Sequence, residues 1–365
     1  MSSTIAETAP AGRSPGPDIA RAFAMAGVVT MNYIGYLILR GAPRGGSAVA
    51  DFFDPWTGPL STRFAATFVV VAGVGVALMR SDRRRGRLAS RGLVLLVFGL
   101  AFDIIWRGAI LPYYGLLFMA AALIVTWPTW SLWLVGIAAA GAAWVLNYWV
   151  VDSRLAGQPL EWLSDPSRNT PHGFIIDMSV NGTHPILPWL SFFVAGIIVG
   201  RTMVDGSWVR RWRIITLGGG VMLWIVAGLV RDTAGVGSVR RAVLWSTDPF
   251  DRGLAYSVSA LASALVALAL IDLIAQYAIT LGGTGTRRVV SYAQTAGQVS
   301  LSVYVAHALV FNLVVDWLGW VTPGSLATAL WFAATVAIVA TIAAVWWARR
   351  FGRGPIEAIY RAITV

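Results

Sequence analysis

Four polar side chains stand out because they lie inside or beside long hydrophobic runs. Asn32, Asp103 and His307 are surrounded by apolar residues, and His184 immediately precedes another apolar run. A polar group is costly in hydrocarbon, so these side chains should face a protein interior or a wet cavity and mark a functional site. At about 1.5 Å per helical residue, Asn32 lies roughly 16 Å beyond Arg21. Counting residues along the other two apolar runs in the same way predicts that Asn32, Asp103 and His307 lie at a similar depth in the membrane.

The hydrophobic run around His307 also carries Ser300 and Tyr304. The spacings of four and then three residues place all three on one helical face. A neutral imidazole could act there as a general base beside the tyrosine hydroxyl. The same side chains could equally hydrogen-bond neighbouring helices. The residues alone leave both interpretations open.

His184 follows a turn signal, Asn181-Gly182, and precedes Pro185, which suits the first turn of a helix. The histidine therefore lies beside the free N–H groups of a helix start, which favour negative charge. A base in that position suits acyl transfer. A structural histidine at the membrane interface is the alternative. His172 lies in a polar loop and is predicted to be solvated.

Two acidic residues each have an arginine one helical turn away. Asp103 and Arg107 are four residues apart, and this spacing favours a structural ion pair over a catalytic aspartate. Asp18 and Arg21 are three residues apart at the start of the first apolar run. They could bind an anionic ligand or anchor the helix, and the composition favours anchoring.

The composition is that of a polytopic membrane protein. Of 365 residues, 57% are hydrophobic and only 12% are charged. The net charge of +11 does not indicate nucleic-acid binding, because the arginines lie at the ends of apolar runs. The absence of cysteine excludes disulfides and thiolate chemistry, and three histidines without His-x-x-His spacing predict no metal site.

The fold predicted from these runs is all-α, with about ten transmembrane helices. The expected domains are a flexible tail at 1–17, a single transmembrane domain at 18–350 and a cytoplasmic segment at 351–365. Most of the 28 arginines then fall on one side, which predicts that both termini are cytoplasmic. The predicted spans are 19–39, 64–79, 91–107, 110–126, 131–150, 185–200, 213–230, 253–275, 297–317 and 325–347.

Four segments together resemble the bacterial YeiB-like membrane proteins and their relatives around heparan-α-glucosaminide N-acetyltransferase. The first runs from Arg13 through Asp18 and Arg21 to Asn32, and the second begins Arg63-Phe-Ala-Ala-Thr. The third is Asn181-Gly-Thr-His-Pro-Ile-Leu-Pro-Trp189 with Gly196 and Arg201. The fourth joins Gly297 to Tyr304 with the tail Gly352-Arg-Gly-Pro-Ile-Glu357. The set covers nearly the whole chain in the family order.

The resemblance implies a transmembrane acyltransferase that takes an acyl group from cytoplasmic acetyl-CoA or another acyl-CoA. Asn32 would contact the thioester carbonyl, and the acceptor would be an envelope glycan or glycolipid. The family's catalytic histidine after Asn32 has no counterpart here, because residues 33–60 contain no histidine. The base is then His184 or His307. Arg21 and the arginine-rich segment 80–91 are expected to bind the CoA phosphates. The residues named for the donor site are Arg21, Arg83, Arg84, Arg85, Arg87 and Tyr304.

Two other classes of function fit the same sequence. One is a transporter or flippase for a lipid or small solute, and the other is a non-catalytic scaffold for envelope assembly. The predicted location is the bacterial inner membrane. The expected partners are membrane lipids and not nucleic acid, and the sequence leaves open whether the protein forms a homodimer.

Overall fold

The computed structural model describes residues 14–79, 84–164, 170–234 and 236–364, and this part of the chain is helical without any strand. Two π-helical turns, Asp177–Asn181 and Asn312–Trp317, extend α8 and α14. The helices are α1 (Gly16–Ile38), α2 (Ala48–Phe52), α3 (Arg63–Ala77), α4 (Arg84–Asp103), α5 (Leu111–Ile124), α6 (Thr129–Leu155), α7 (Glu161–Ser164), α8 (Pro171–Ile176), α9 (Ile186–Val204), α10 (Arg210–Ala234), α11 (Val239–Leu244), α12 (Leu254–Leu281), α13 (Thr284–Gln298), α14 (Ser300–Phe311), α15 (Leu326–Phe351) and α16 (Pro355–Ile363).

Six helices of the described chain are long and apolar enough to cross a membrane: α6, α9, α10, α12, α14 with its π-helical turn, and α15. The helices α3 and α5 are also apolar but shorter. Large apolar side chains are exposed on the outside of the bundle, including Trp130, Met222 and Trp331. A helix that is apolar on its exposed face belongs in lipid. The chain is therefore a multi-pass membrane protein.

Each of the ten predicted spans contains a helix, although several boundaries differ. The predicted ninth span, 297–317, is divided, because Val299 leaves helical geometry and separates α13 from α14. The preceding α13, 284–298, was not predicted as a helix. Its polar composition lacks the apolar run that marks a span. At the start of the chain, α1 begins at Gly16, inside the predicted flexible tail; residues 1–13 lie outside the described part.

The centre of the bundle depends on a close contact between α3 and α9. A Cβ placed on Gly73 would lie 2.1 Å from the carbonyl oxygen of Phe193, and one on Gly196 would lie 2.0 Å from that of Val70. Glycine at these positions lets the two backbones approach directly, as small residues do in membrane helix pairs. The contact holds α9, which follows His184, against α3.

The helices α4 and α5 form an antiparallel hairpin with similarly close packing. A Cβ on Gly92 would lie 2.6 Å from the Gly115 carbonyl oxygen, and one on Gly99 would lie 2.5 Å from the Pro112 nitrogen. Gly92 therefore lies level with the middle of α5, and Gly99 lies level with its start. This register fixes the depth of each α5 residue relative to α4.

Candidate functional site

Two cavities enter the bundle from opposite ends. The histidine cavity, of about 240 Å³, is lined by the end of α1 and the start of α3; its polar and aromatic lining includes Asn32, Tyr36, Trp56, Arg107, His184 and Tyr304. The basic cavity, of about 390 Å³, is lined by the start of α1 and the end of α3; its lining includes Arg21, Arg91, Tyr114, Ser300, Glu357 and Arg361. Since α1 and α3 run antiparallel, the two cavities open towards different membrane faces.

The two cavities share two lining residues, Ile110 and Tyr304. The Ile110 backbone N–H donates to the Tyr304 hydroxyl over 3.1 Å. Ile110 is the residue that precedes α5, so its N–H is one of the groups at a helix start that lack a partner within the helix. One hydrogen bond between the start of α5 and the middle of α14 therefore forms part of the partition between the cavities.

Asn32 contacts His307, and the two residues had been predicted to lie at a similar depth. The Asn32 Nδ2 lies 3.2 Å from the His307 Nε2. The other ring nitrogen, Nδ1, faces the Tyr304 carbonyl oxygen, which can only accept a hydrogen bond. Nδ1 therefore carries the hydrogen, and the unprotonated Nε2 accepts from the Asn32 amide. Both nitrogens of His307 are engaged within the protein.

His307 is fully buried in an aromatic cluster and, unlike Asn32, does not line the histidine cavity. Its ring centroid is 5.0 Å from that of Tyr304, 5.2 Å from that of Trp106 and 6.0 Å from that of Tyr33. The Tyr33 hydroxyl also donates to the His307 backbone carbonyl over 2.7 Å. The ring is thus fixed in position, and Asn32 is the member of the pair that lines the histidine cavity.

His184 lines the same cavity from the loop before α9. Its Nδ1 lies 3.0 Å from the Thr183 hydroxyl, and its ring packs against Trp189 at 4.6 Å and Tyr113 at 5.8 Å between centroids. Burial, together with the positive charge of Arg252, lowers the pKa of His184 to about 3. The imidazole is therefore neutral at physiological pH.

The loop that carries His184 is fixed by partners that the sequence did not reveal. Arg252 donates to the backbone carbonyls of Asn181, over 2.9 Å, and Gly182, over 2.6 Å. The Tyr113 hydroxyl accepts from the Thr183 backbone N–H over 3.2 Å. Arg252 is about seventy residues further along the chain, so no local motif signals its role.

Tyr113 in turn donates to the Asp177 carboxylate over 3.0 Å. Both residues are buried. Asp177 begins the π-helical turn that precedes the loop, so this hydrogen bond connects the start of α5 to the segment before His184. The position of His184 therefore depends on α5, α8 and the loop before α12 together.

The arginines that were predicted to bind the donor lie in different surroundings in the structure. Arg21 lines the basic cavity and forms an ion pair of 3.0 Å with the buried Asp18. Arg84 instead donates to the Val76 and Ala77 carbonyls at the end of α3, and Arg85 donates to the Thr126 hydroxyl.

Other predicted donor-binding residues have different surroundings. Arg87 is exposed, and Arg83 lies outside the described residues. Tyr304 lines both cavities, and Ser300, on the same helix, lines the basic cavity. Arg91, the last residue of the segment 80–91 predicted to bind the donor, lines the cavity, and so does Arg361, which was not predicted as a donor-binding residue.

Asp103 has a structural role at the connection between α4 and α5. Its carboxylate accepts from the backbone N–H groups of Gly108, over 2.8 Å, and Ala109, over 3.1 Å. Arg107, its predicted partner, lines the histidine cavity, while its backbone carbonyl accepts from the Tyr36 hydroxyl. Asp103 thus stabilises the turn that brings Arg107 to the cavity.

Comparison with known families assigns most of the chain. The model described as heparan-alpha-glucosaminide N-acetyltransferase, catalytic, matches residues 13–234, which is more than half of the sequence. A model described as a protein of unknown function (DUF418) matches residues 205–365 and corresponds to the YeiB-like proteins. No curated protein matches the chain. These matches confirm the predicted resemblance: the chain belongs to the heparan-α-glucosaminide N-acetyltransferase catalytic family and has a YeiB-like carboxyl-terminal part.

Proposed function

We propose that this protein transfers an acetyl or similar acyl group from acyl-CoA on one side of the membrane to a glycan or glycolipid on the other. The observation that carries the proposal is the pair of cavities that open at opposite ends and meet at Ile110 and Tyr304. One cavity is lined by arginines and the other by a neutral histidine. A donor thioester in the first cavity and an acceptor in the second would meet at the partition.

The basic cavity faces the cytoplasm in this proposal. Its end of the bundle carries the arginine-rich start of α4 and the arginines after α15, and such residues are retained on the cytoplasmic side. All ten spans then cross, both termini are cytoplasmic, and the membrane is the bacterial inner membrane. The single transmembrane domain spans 18–350, and α16 lies at the cytoplasmic surface.

The basic cavity has the chemistry that acyl-CoA requires of a donor site. The Arg91 Nε is buried without a hydrogen-bond partner among the described residues. A donor phosphate would supply that partner, and arginine binds phosphate oxygens well because its N–H groups fit them in pairs. Arg21, Arg91 and Arg361 are therefore the proposed phosphate contacts, in place of the exposed Arg87 and the helix-capping Arg84.

The proposed reaction uses the groups that line the histidine cavity. An acceptor hydroxyl or amine loses its proton to His184, and its oxygen or nitrogen bonds to the thioester carbonyl carbon. The carbon–sulfur bond then breaks, and CoA leaves as the thiolate. The second N–H of the Asn32 amide, which His307 does not use, donates to the carbonyl oxygen as it becomes negative. Negative charge that develops on the substrate beside His184 would also raise the pKa of the imidazole, so the ring would hold the proton more tightly.

The test is acyl transfer by the purified protein in proteoliposomes. Acetyl-CoA labelled in the acetyl group is supplied on the arginine-rich side, with methyl α-glucosaminide or lipid-linked saccharides on the other. We expect His184→Ala to reduce transfer by about 10²-fold or more, since a general base contributes roughly 10²–10⁴-fold. Acetyl-CoA binding should be retained. His172 lies in the short helix α8 rather than in the predicted loop, and its side chain is exposed. The matched control is therefore His172→Ala, which should transfer normally.

Two outcomes would contradict the proposal. Failure of the wild-type protein to bind acetyl-CoA would remove the donor, and solute or lipid transport without any acyl donor would favour a transporter. Normal transfer by His184→Ala would leave acyl transfer in place but remove His184 as its base.

A further inference from the structure

Tyr114 lines the basic cavity, and the described protein provides no partner for its hydroxyl. The residue lies on α5 and is 5% exposed, and its hydroxyl is buried without a hydrogen bond. Its ring packs between Phe68, at 5.7 Å, and Phe118, at 6.5 Å, so the hydroxyl is held in a defined position. The adjacent Tyr113, by contrast, is hydrogen-bonded to Asp177.

A buried hydroxyl without a partner is unfavourable, because it has lost water and gained no hydrogen bond. Since Tyr114 lines the basic cavity, a bound molecule can supply the missing partner. A phenol hydroxyl donates one hydrogen bond and also accepts, which matches a neutral carbonyl or amide. The same hydroxyl could also donate to a phosphate oxygen, so its level along the cavity decides which part of a ligand it meets.

The register of α4 against α5 shows which part of the donor reaches Tyr114. The site of a Cβ on Gly92 is 2.6 Å from Met119, so Arg91 lies near the level of Met119. Tyr114 is five residues nearer the partition, or about 7.5 Å. Ile110, at the partition, is about 6 Å further along the same helix. The hydroxyl lies between the phosphate-binding end and the reacting end of the cavity.

We propose that the Tyr114 hydroxyl hydrogen-bonds an amide of the pantetheine arm of the acyl-CoA donor. This inference rests on the proposed function, which places the phosphates near Arg91 and the thioester near Tyr304. The pantetheine arm connects these two ends and carries neutral amides along its length. Tyr114 is then a binding residue for the arm and takes no part in proton transfer.

The experiment measures binding of acetyl-CoA and of adenosine 3′,5′-bisphosphate, which lacks the arm, to the protein in nanodiscs by calorimetry. We expect Tyr114→Phe to weaken acetyl-CoA binding about 3- to 10-fold, as loss of one neutral hydrogen bond does. Binding of the bisphosphate should not change. The ligand-free thermal stability should be equal or higher, because the variant removes an unsatisfied group. Tyr277→Phe, at an exposed tyrosine on α12, is the matched control and should change nothing.

The outcomes separate this inference from the proposed function. If the wild-type protein binds acetyl-CoA and Tyr114→Phe binds it equally well, the contact with the arm is wrong and the acyltransferase proposal stands. Equal weakening of both ligands would also overturn the contact, because the bisphosphate has no amide arm. If the wild-type protein binds the bisphosphate but not acetyl-CoA, or binds neither, the proposed donor and this contact fail together.

Discussion

The hydrogen bond between Asn32 and His307 decides which groups of the two side chains are free to act. His307 uses Nε2 to accept from Asn32 and Nδ1 to donate to the Tyr304 carbonyl. It has no nitrogen left for a substrate and lies fully buried. The sequence left His184 and His307 as equal candidates for the base. The geometry favours His184 and gives His307 the task of orienting Asn32.

A double-mutant cycle tests this division of roles. We expect His307→Ala to lower kcat by about 10-fold, because Asn32 loses the partner that orients it. Asn32→Ala should lower kcat at least as much, and the double variant should be no worse than Asn32→Ala alone. The measurement is kcat for acetyl transfer at saturating acetyl-CoA, with acetyl-CoA affinity expected to stay unchanged. Independent, multiplicative losses would show that His307 acts on the substrate separately from Asn32.

At the scale of helices, the site depends on elements whose backbones approach closely at glycines. The helix α3 contributes Phe64 and Ala65 to the histidine cavity and Ala72 to the basic cavity. The same helix contacts α9 through Gly73 and Gly196, with no room for a Cβ on either. Any displacement of α3 from α9 would therefore alter both cavities at once.

Gly73→Ala should expose this dependence. The new methyl would lie 2.1 Å from the Phe193 carbonyl oxygen, so the backbones must separate. We expect a loss of about 1–3 kcal/mol in stability, the usual cost of overpacking, measured as a lower Tm in detergent. Gly141→Ala on α6 is the matched control, since nothing lies within 4 Å of its added Cβ. That change should be neutral or slightly stabilising, because alanine favours helix. Equal Tm values for both variants would contradict the tight contact.

Across the whole molecule, the apolar runs predicted where helices lie but not which side chains meet. All ten predicted spans contain helices, because length and hydropathy are local properties. The roles of Tyr113 and Tyr114 were not predictable in the same way. They are adjacent in an apolar helix, yet one holds the loop of His184 and the other enters the basic cavity. A helix that is apolar on every face carries no period that tells its inner side from its lipid side.

The contacts of the arginines were likewise not predictable from the sequence. Arg84 and Arg91 belong to one basic segment, and the sequence analysis assigned the whole segment to the donor. In the structure Arg84 meets the free carbonyls at the end of α3, while Arg91 enters the cavity. The difference arises from where α4 begins relative to α3, which is a tertiary property. Arginine position along the chain therefore yields a predicted membrane side, but it does not show which arginines line the cavity.

The proposed orientation gives a further prediction, and the absence of cysteine makes it direct to test. Single cysteines are introduced at three exposed positions and treated in intact cells with a membrane-impermeant maleimide. Gln158→Cys, after α6, should be labelled at once. Arg87→Cys and Thr284→Cys, on the arginine-rich side, should be labelled only after the membrane is permeabilised. The unsubstituted protein is the control and should remain unlabelled. The reverse pattern would place the basic cavity outside the cell, away from cytoplasmic acyl-CoA.

The same method tests whether the α4–α5 hairpin crosses the whole membrane. Ile104, in the connection between these helices, is 85% exposed, so Ile104→Cys should react from outside if both helices cross. A hairpin that enters and returns on the cytoplasmic side would leave this cysteine unlabelled, while Gln158→Cys and Thr284→Cys kept their sides. Eight crossings would then replace ten. The histidine cavity contains Arg107 and Gly108 from this connection, so labelling of Ile104→Cys would also place that cavity near the outer face.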